Sequence, residues 1–189
     1  MKNQVTKNNH TIYQIYGLNG CSNILNNKKI KIIRIDIMIG GNAEKKQWVN
    51  SLARLTAHPV QRMPKNQFLK KYSGKRTQGI VILFKGRVLK NMPSLANIDR
   101  NECLLVLANL EDPQNLGQII RTAECANIFG ILLPEHQSVQ ITDSVLQVSQ
   151  GAFVNVSIYK CGNLHQQLLA LKKEGFWIIG TENSVKAIS

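Results

Sequence analysis

Lys31–Gly40, KIIRIDIMIG, alternates apolar and polar positions and is rich in β-branched residues, the pattern of a half-buried strand. The period then changes. Over Asn42–Thr56, Trp48, Val49, Leu52 and Leu55 recur at helical spacing behind Asn42, a residue type suited to accept from the free N–H groups that open a helix. A short strand near Val60–Arg62, a Pro-started helix over Pro64–Tyr72 and a strand over Gly79–Phe84 complete a small α/β unit. Between Lys85 and Glu102, Gly, Pro, Asn and mixed charges break every period, so this segment reads as a connection. The pattern restarts with a strand at Cys103–Asn109, a helix at Leu116–Asn127, a strand at Gly130–Leu133 and a helix at Asp143–Gln150. A strand at Val156–Lys160, a helix at Leu164–Glu174 and a strand FWIIG at Phe176–Gly180 follow. Alternation at this spacing predicts an α/β fold with a parallel sheet covered on both faces. The expected organisation is a polar, disordered leader over 1–11, a first domain over 12–86, a linker over 87–101 and a second domain over 102–189. The segment GTENSVKAIS comes straight after the final predicted strand, so the second domain reads as incomplete.

Charge separates the two halves more sharply than hydropathy does. Residues 1–98 hold 18 Lys and Arg against Asp36 and Glu44 alone, whereas residues 99–189 hold six against nine acids. From Lys45 to Ile98 twelve bases occur without one acid. Such a distribution calls for an anionic partner of the first half, and a nucleic acid such as RNA is one that its phosphates make suitable. Within the basic half Lys70, Lys71, Lys75, Arg76, Gln78, Lys85 and Arg87 are the candidate RNA contacts; the competing reading is ordinary solvated charge.

The remaining chemistry is soon bounded. Cys21, Cys103, Cys125 and Cys161 form no C-x-x-C pair and read as reduced core residues of a cytoplasmic protein. The four histidines show no ligand spacing, so no metal is expected. No apolar run approaches the ~20 residues a membrane span needs, and the first twenty residues lack a signal-peptide h-region. No G-x-G-x-x-G follows a strand, which argues against a nicotinamide-type Rossmann enzyme. Met38, Met63 and the aromatics read as core.

One stretch carries an order of groups that packing alone does not require: Asn109–Pro134, NLEDPQNLGQIIRTAECANIFGILLP. Asp112-Pro113 makes a rigid turn after the strand, and Asn115 is suited to cap the new helix. Gly117 in the first turn costs about 1 kcal/mol relative to Ala and permits close backbone approach. Ile119, Ile120, Ala123 and Ala126 can pack inward, while Gln118 and Arg121 share another face, so Asn115, Gln118 and Arg121 are expected to crowd the carboxyl end of the strand.

Asp112, Pro113, Asn115, Leu116, Gly117, Arg121, Thr122 and Ala123 resemble the first motif of the SpoU (TrmH) family of RNA ribose 2′-O-methyltransferases, Asp-Pro-x-Asn-Leu-Gly-x-x-x-Arg-Thr-Ala. The likeness continues through VSQGAF at Val148–Phe153 and FWIIGT at Phe176–Thr181. IYGLNG and SGKRTQGIV look like the ends of the substrate-binding domain of the ribosomal-RNA guanosine branch. The resemblance implies a first domain shaped like a kink-turn-binding ribosomal protein and a second, SPOUT-type domain that binds S-adenosylmethionine in a trefoil knot and, where that domain is complete, forms a homodimer. It implies catalytic roles for Arg121 and Asn115 and places Gly180 and Thr181 at the start of a cofactor loop; a plain strand end is the alternative for that pair. A guanidinium is a poor base, so phosphate anchoring and alkoxide stabilisation suit Arg121, against a plain surface pairing with Glu124. Thr77 stands where relatives often carry His. The second and third family motifs, a Gly-Glu-Gly loop and a Ser-x-Asn segment, have no counterpart here. The expectation is therefore a C-terminally truncated methyltransferase acting on ribosomal RNA or tRNA, with a noncatalytic RNA-binding protein as the alternative.

Overall fold

The computed structural model describes residues 11–27, 30–55, 59–95, 98–99, 101–136 and 138–181. The leader predicted over 1–11, apart from Thr11, and residues 182–189 lie outside the described residues. Two four-stranded sheets organise the chain. The first contains β1 (Ile12–Tyr16), β2 (Lys31–Met38), β3 (Val60–Met63) and β4 (Ile80–Lys85) in the order β1-β4-β2-β3. β4 pairs antiparallel with β1 and β2, and β2 pairs parallel with β3. Helices α1 (Leu18–Leu25), α2 (Gln47–Leu55) and α3 (Lys65–Lys71) connect these strands.

The second sheet is all parallel, in the order β5-β8-β7-β6, from β5 (Leu89–Asn91), β6 (Leu104–Val106), β7 (Gly130–Pro134) and β8 (Ser157–Cys161). Helices α4 (Pro113–Cys125) and α5 (Asp143–Val148) pack one face through Leu116, Ile120, Val145 and Leu146. On the other face Leu164, the first residue of α6 (Leu164–Lys173), packs against Leu132, Tyr159 and Cys161.

One apolar core runs through both units. Ile15, Ile35, Ile82 and Phe84 of the first sheet belong to the same cluster as Leu116, Ile131, Val145 and Phe153, and the Phe84 and Phe153 rings stack at 5.7 Å. Polar side chains fix the junction. Asp143 Oδ1 accepts from Gln14 N at 3.0 Å, and Asn23 Nδ2 and Asn27 Nδ2 donate to the carbonyls of Gln150 and Val154. The edge strand β1 is thereby covered by α5 rather than left to solvent.

Several expected elements differ. The segment expected as a linker contains β5, which pairs with β8 and so belongs to the second sheet. α2 starts at Gln47 rather than behind Asn42, because the Glu44 carboxylate accepts from Gly40 N at 2.7 Å and holds 40–46 as turns. Phe176–Gly180 is not a strand: it runs as irregular chain with Trp177 92% and Ile179 84% exposed. A run of apolar residues reports side-chain pattern, whereas a strand also needs a neighbour to pair with. Trp177 is accordingly not a core residue, and Cys103 and Cys125 are exposed while Cys21 and Cys161 are buried.

Candidate functional site

The carboxyl end of β6 leads into Leu107–Glu111, with Asn109 in the left-handed region at φ 53°, and then into α4. The helix is opened by Asp112, not by Asn115. Asp112 Oδ1 accepts from Gln114 N at 2.8 Å and Pro113 occupies the first turn, where its missing N–H costs nothing. With the cap one turn earlier than expected, Asn115 becomes a first-turn residue whose side chain is exposed.

Gly117 meets the close approach its position suggested, and the neighbour is α5. A Cβ there would lie 2.5 Å from Val148 Cβ and 3.0 Å from the Val145 carbonyl. Its absence lets α4 and α5 pack backbone to side chain, which sets how close the two helices stand.

The outer face of α4 and the β6 edge enclose an open groove of about 580 Å³. Leu105, Leu110, Ile119 and Ile128 form its apolar floor, and Asn115, Gln118 and Thr122 supply amides and a hydroxyl. Thr122 is partly committed, since its hydroxyl donates to the Gln118 carbonyl at 3.2 Å. Of the residues expected to pack inward, Ile119 packs against the core and also lines this groove, whereas Ala126 is exposed and lines the groove instead. The structure thus brings Asn115 and Gln118 together but not Arg121, which is exposed and not among the groove's lining residues. Six residues at 100° each set it about 120° around the helix from Asn115. The Glu124 carboxylate is occupied by Asn155 Nδ2 at 2.6 Å rather than by Arg121.

Gly180 and Thr181 are exposed, and a side chain built at Gly180 would touch nothing within 4 Å. They form no cradle as placed. The sites expected to meet RNA divide between the two ends of β4. Lys70, Lys71, Lys75 and Arg76 gather around the end of α3 and the loop before β4. Lys85 and Arg87 stand at the far end of that strand, about 17 Å away at 3.3 Å per residue. Gln78 serves the fold: its Oε1 accepts from Leu18 N at 2.9 Å and satisfies the first turn of α1. Thr77 is buried, its hydroxyl accepting from Gly79 N at 3.3 Å.

A second polar constellation is one that sequence reasoning missed. Asp36, fully buried on β2, accepts from Lys71 Nζ at 2.7 Å and from the Tyr72 hydroxyl at Oδ2, and its Oδ1 lies 2.9 Å from Arg34 Nε as an ion pair without hydrogen-bond geometry. Burial, then the hydrogen bond to Asp36, push the Tyr72 phenol above its ordinary value. Burial is the largest single influence on the Arg34 guanidinium and pulls it down, but the Asp36 charge and the neighbouring Tyr72 together outweigh it and hold the group above its usual range. The signal available was a lone acid inside a strand of an otherwise basic half. Among the described residues no group of three His, Cys, Asp or Glu could hold a metal, and no helix is long and apolar enough to cross a membrane.

Comparison with known proteins bears on these features. Residues 102–189 match the model of the SpoU rRNA Methylase family. A Staphylococcus saprophyticus protein named as a TrmH family tRNA/rRNA methyltransferase is 39% identical over 84 residues, 44% of this chain and 34% of that one. The similarly named YacO of Bacillus subtilis is 31% identical over 144 residues, 74% of this chain and 57% of its own. Among solved structures, the SpoU methyltransferase AviRb from Streptomyces viridochromogenes in complex with AdoMet superposes with a TM-score of 0.66 at 13% identity. That match covers 86% of this chain and 60% of AviRb. An AdoMet-bound rRNA methyltransferase from Sinorhizobium meliloti gives 0.63 at 19%, covering 85% and 59%. The chain therefore spans less than two thirds of each of these relatives.

Proposed function

We propose, from the match of residues 102–189 to the SpoU rRNA Methylase family and the likeness to TrmH family proteins, that this chain is a SpoU (TrmH) RNA methyltransferase that transfers a methyl group from S-adenosylmethionine to a ribose 2′-hydroxyl of RNA, ribosomal RNA in preference to tRNA. The observation that carries this reading is the Asp112–Ala123 segment, which opens α4 at the carboxyl end of a parallel strand beside a strongly basic unit. In open parallel sheets ligands bind at that end of the strands. The basic unit over 12–86 holds the RNA by its phosphates, and the unit over 102–189 carries the reacting groups and pairs with a second copy of the chain.

S-adenosylmethionine would supply an electrophilic methyl on a sulfonium. Gly180 and Thr181 do not fit it in the arrangement described, since nothing adjoins Gly180. Their contribution requires 176–181 to settle against a neighbour. What Arg121 contributes is independent of that: an exposed, permanently charged guanidinium one helical face from Asn115 anchors an RNA phosphate and offsets charge developing on the 2′-oxygen. Asn115 offers an amide that donates and accepts toward the same ribose.

The exposed state of Gly180 and Thr181 favours a second reading, an RNA-binding protein without transfer activity. Incubation with methyl-labelled S-adenosylmethionine and unmodified ribosomal RNA separates the two. Label recovered as 2′-O-methylnucleoside supports the transferase. RNA retained on the protein with no label incorporated would sink it in favour of the second reading.

A further inference from the structure

Asp36 is the one acid within β1, β2, β4 and α3, and it is fully buried. A carboxylate out of water is costly unless paired, and one cation would suffice to neutralise it. Asp36 has two, one on each oxygen: Arg34 Nε at 2.9 Å from Oδ1 and Lys71 Nζ at 2.7 Å from Oδ2. Tyr72 donates to Oδ2 as well. The arrangement keeps a net charge of +1, and both cationic side chains stay more than a third exposed, at 37% and 38%. One carboxylate thus keeps the two cationic nitrogens within about 8 Å of each other. A guanidinium and an ammonium together carry eight N–H donors, more than one carboxylate can accept.

The strand register extends this arrangement into a track. Asp36, Val81 and Tyr16 lie in one row across β2, β4 and β1, and Lys75 Nζ stands 5.8 Å over the Tyr16 ring. A register shift between Ile32 and Arg34 brings Lys31 opposite Lys85 and Arg34 opposite Leu83, so both bases of β2 share the face that carries Lys85. Cations therefore follow that sheet face from Lys75 past Lys71 and Arg34 to Lys85, with Asp36 as their organiser.

We propose that Arg34 and Lys71, held side by side by the buried carboxylate of Asp36, form a clamp for the phosphates of an RNA strand crossing this face of the first sheet. The proposal rests on the RNA-binding reading above and names where in the basic unit the backbone is held. Asp36 is a positioning residue; Arg34 and Lys71 touch the RNA.

The full chain and a labelled RNA hairpin with a mixed-sequence loop test it, with affinity measured against salt concentration. Arg34→Ala and Lys71→Ala should each weaken binding about fivefold and lower the slope of log affinity against log salt by about 0.7 to 0.9. Lys71→Arg should restore both. Asp36→Asn separates positioning from bulk charge because the two predict opposite signs. Loss of a negative charge beside a phosphate site should tighten binding, whereas loss of the organiser should weaken it about threefold or more. If Asp36→Asn does not fold, the two alanine variants at partly exposed positions decide the matter. Wild-type binding left unchanged in affinity and slope by both overturns the clamp and leaves the RNA-binding reading standing. Tighter binding by folded Asp36→Asn overturns the positioning role. A wild-type chain that does not bind the hairpin removes both readings.

Discussion

Gln147 grips the backbone of Tyr16 at both of its polar groups: Oε1 accepts from Tyr16 N and Nε2 donates to Tyr16 O, each at 2.9 Å. A side-chain amide thereby completes the ladder of edge strand β1 and ties the basic unit to the helix that packs against α4. Gln147→Ala leaves both backbone groups of Tyr16 without these partners in a half-buried setting. The expected cost is about 1 to 3 kcal/mol, read as a shift of the urea midpoint. Gln147→Glu keeps the acceptor but replaces the donor with charge, so it should cost at least as much above the carboxylate range and recover in acid. An unchanged midpoint in both variants would show that the two units do not depend on this contact.

At α4 the structure separates two residues whose sequence roles were confounded. Asp112 makes the cap hydrogen bond and Asn115 does not figure in it. Asp112→Ala should therefore cost about 1 kcal/mol of stability, while Asn115→Ala should leave the thermal midpoint within error. If Asn115 acts on the ribose, its alanine variant should lower methyl transfer by roughly tenfold or more at unchanged stability. Stability loss at Asn115 without loss of transfer would reverse the assignment.

What was legible in the sequence follows from how local each signal is. β2, α3, β7 and α6 carry uninterrupted periods and form nearly where those periods place them. The motif from Asp112 to Ala123 was legible because turn, cap and helix chemistry are written in adjacent residues. β5 was not, since three residues amid Gly, Pro and Asn have no period and become a strand only by pairing with β8, almost seventy positions on. The Asp36 cluster was hidden for the same reason. Its partners Lys71 and Tyr72, at the end of α3 and just past it, lie 35 and 36 residues away, and only the fold sets them on one carboxylate. Conversely, FWIIG carried a strand's pattern and formed none, because pattern alone supplies no partner.

Gly117 offers a test of packing between α4 and α5. A methyl at this position would lie 2.5 Å from Val148 Cβ, far inside contact distance, with the Val145 carbonyl of the same helix 3.0 Å away. Ala is the better helix former, so propensity alone predicts that Gly117→Ala stabilises by nearly 1 kcal/mol. The clash should reverse that sign and leave a net loss of about 1 to 3 kcal/mol. The double variant Gly117→Ala with Val148→Ala should recover only part of it, since Val148 Cγ1, 2.6 Å from the added methyl, is then gone while Cβ at 2.5 Å remains. A single variant more stable than wild type would mean that the helices are free to separate.

The Tyr72 phenol gives a pH signature with a definite sign. In the unfolded chain it titrates near its ordinary value of 10.0, whereas in the fold burial and the bond to Asp36 raise it. The folded state therefore holds that proton more tightly. The stabilisation is fully present below pH 10.0 and is lost as pH rises through the folded value. Denaturant titrations at increasing alkaline pH should show stability falling beyond that point, with phenolate absorbance at 295 nm lagging behind what free tyrosine would show. Tyr72→Phe removes the titrating group together with its hydrogen bond to a buried carboxylate. It should start less stable at neutral pH by about 1.5 to 3 kcal/mol and then lose less on going alkaline, so that the two curves converge. Parallel curves for the two proteins would place the alkaline sensitivity elsewhere.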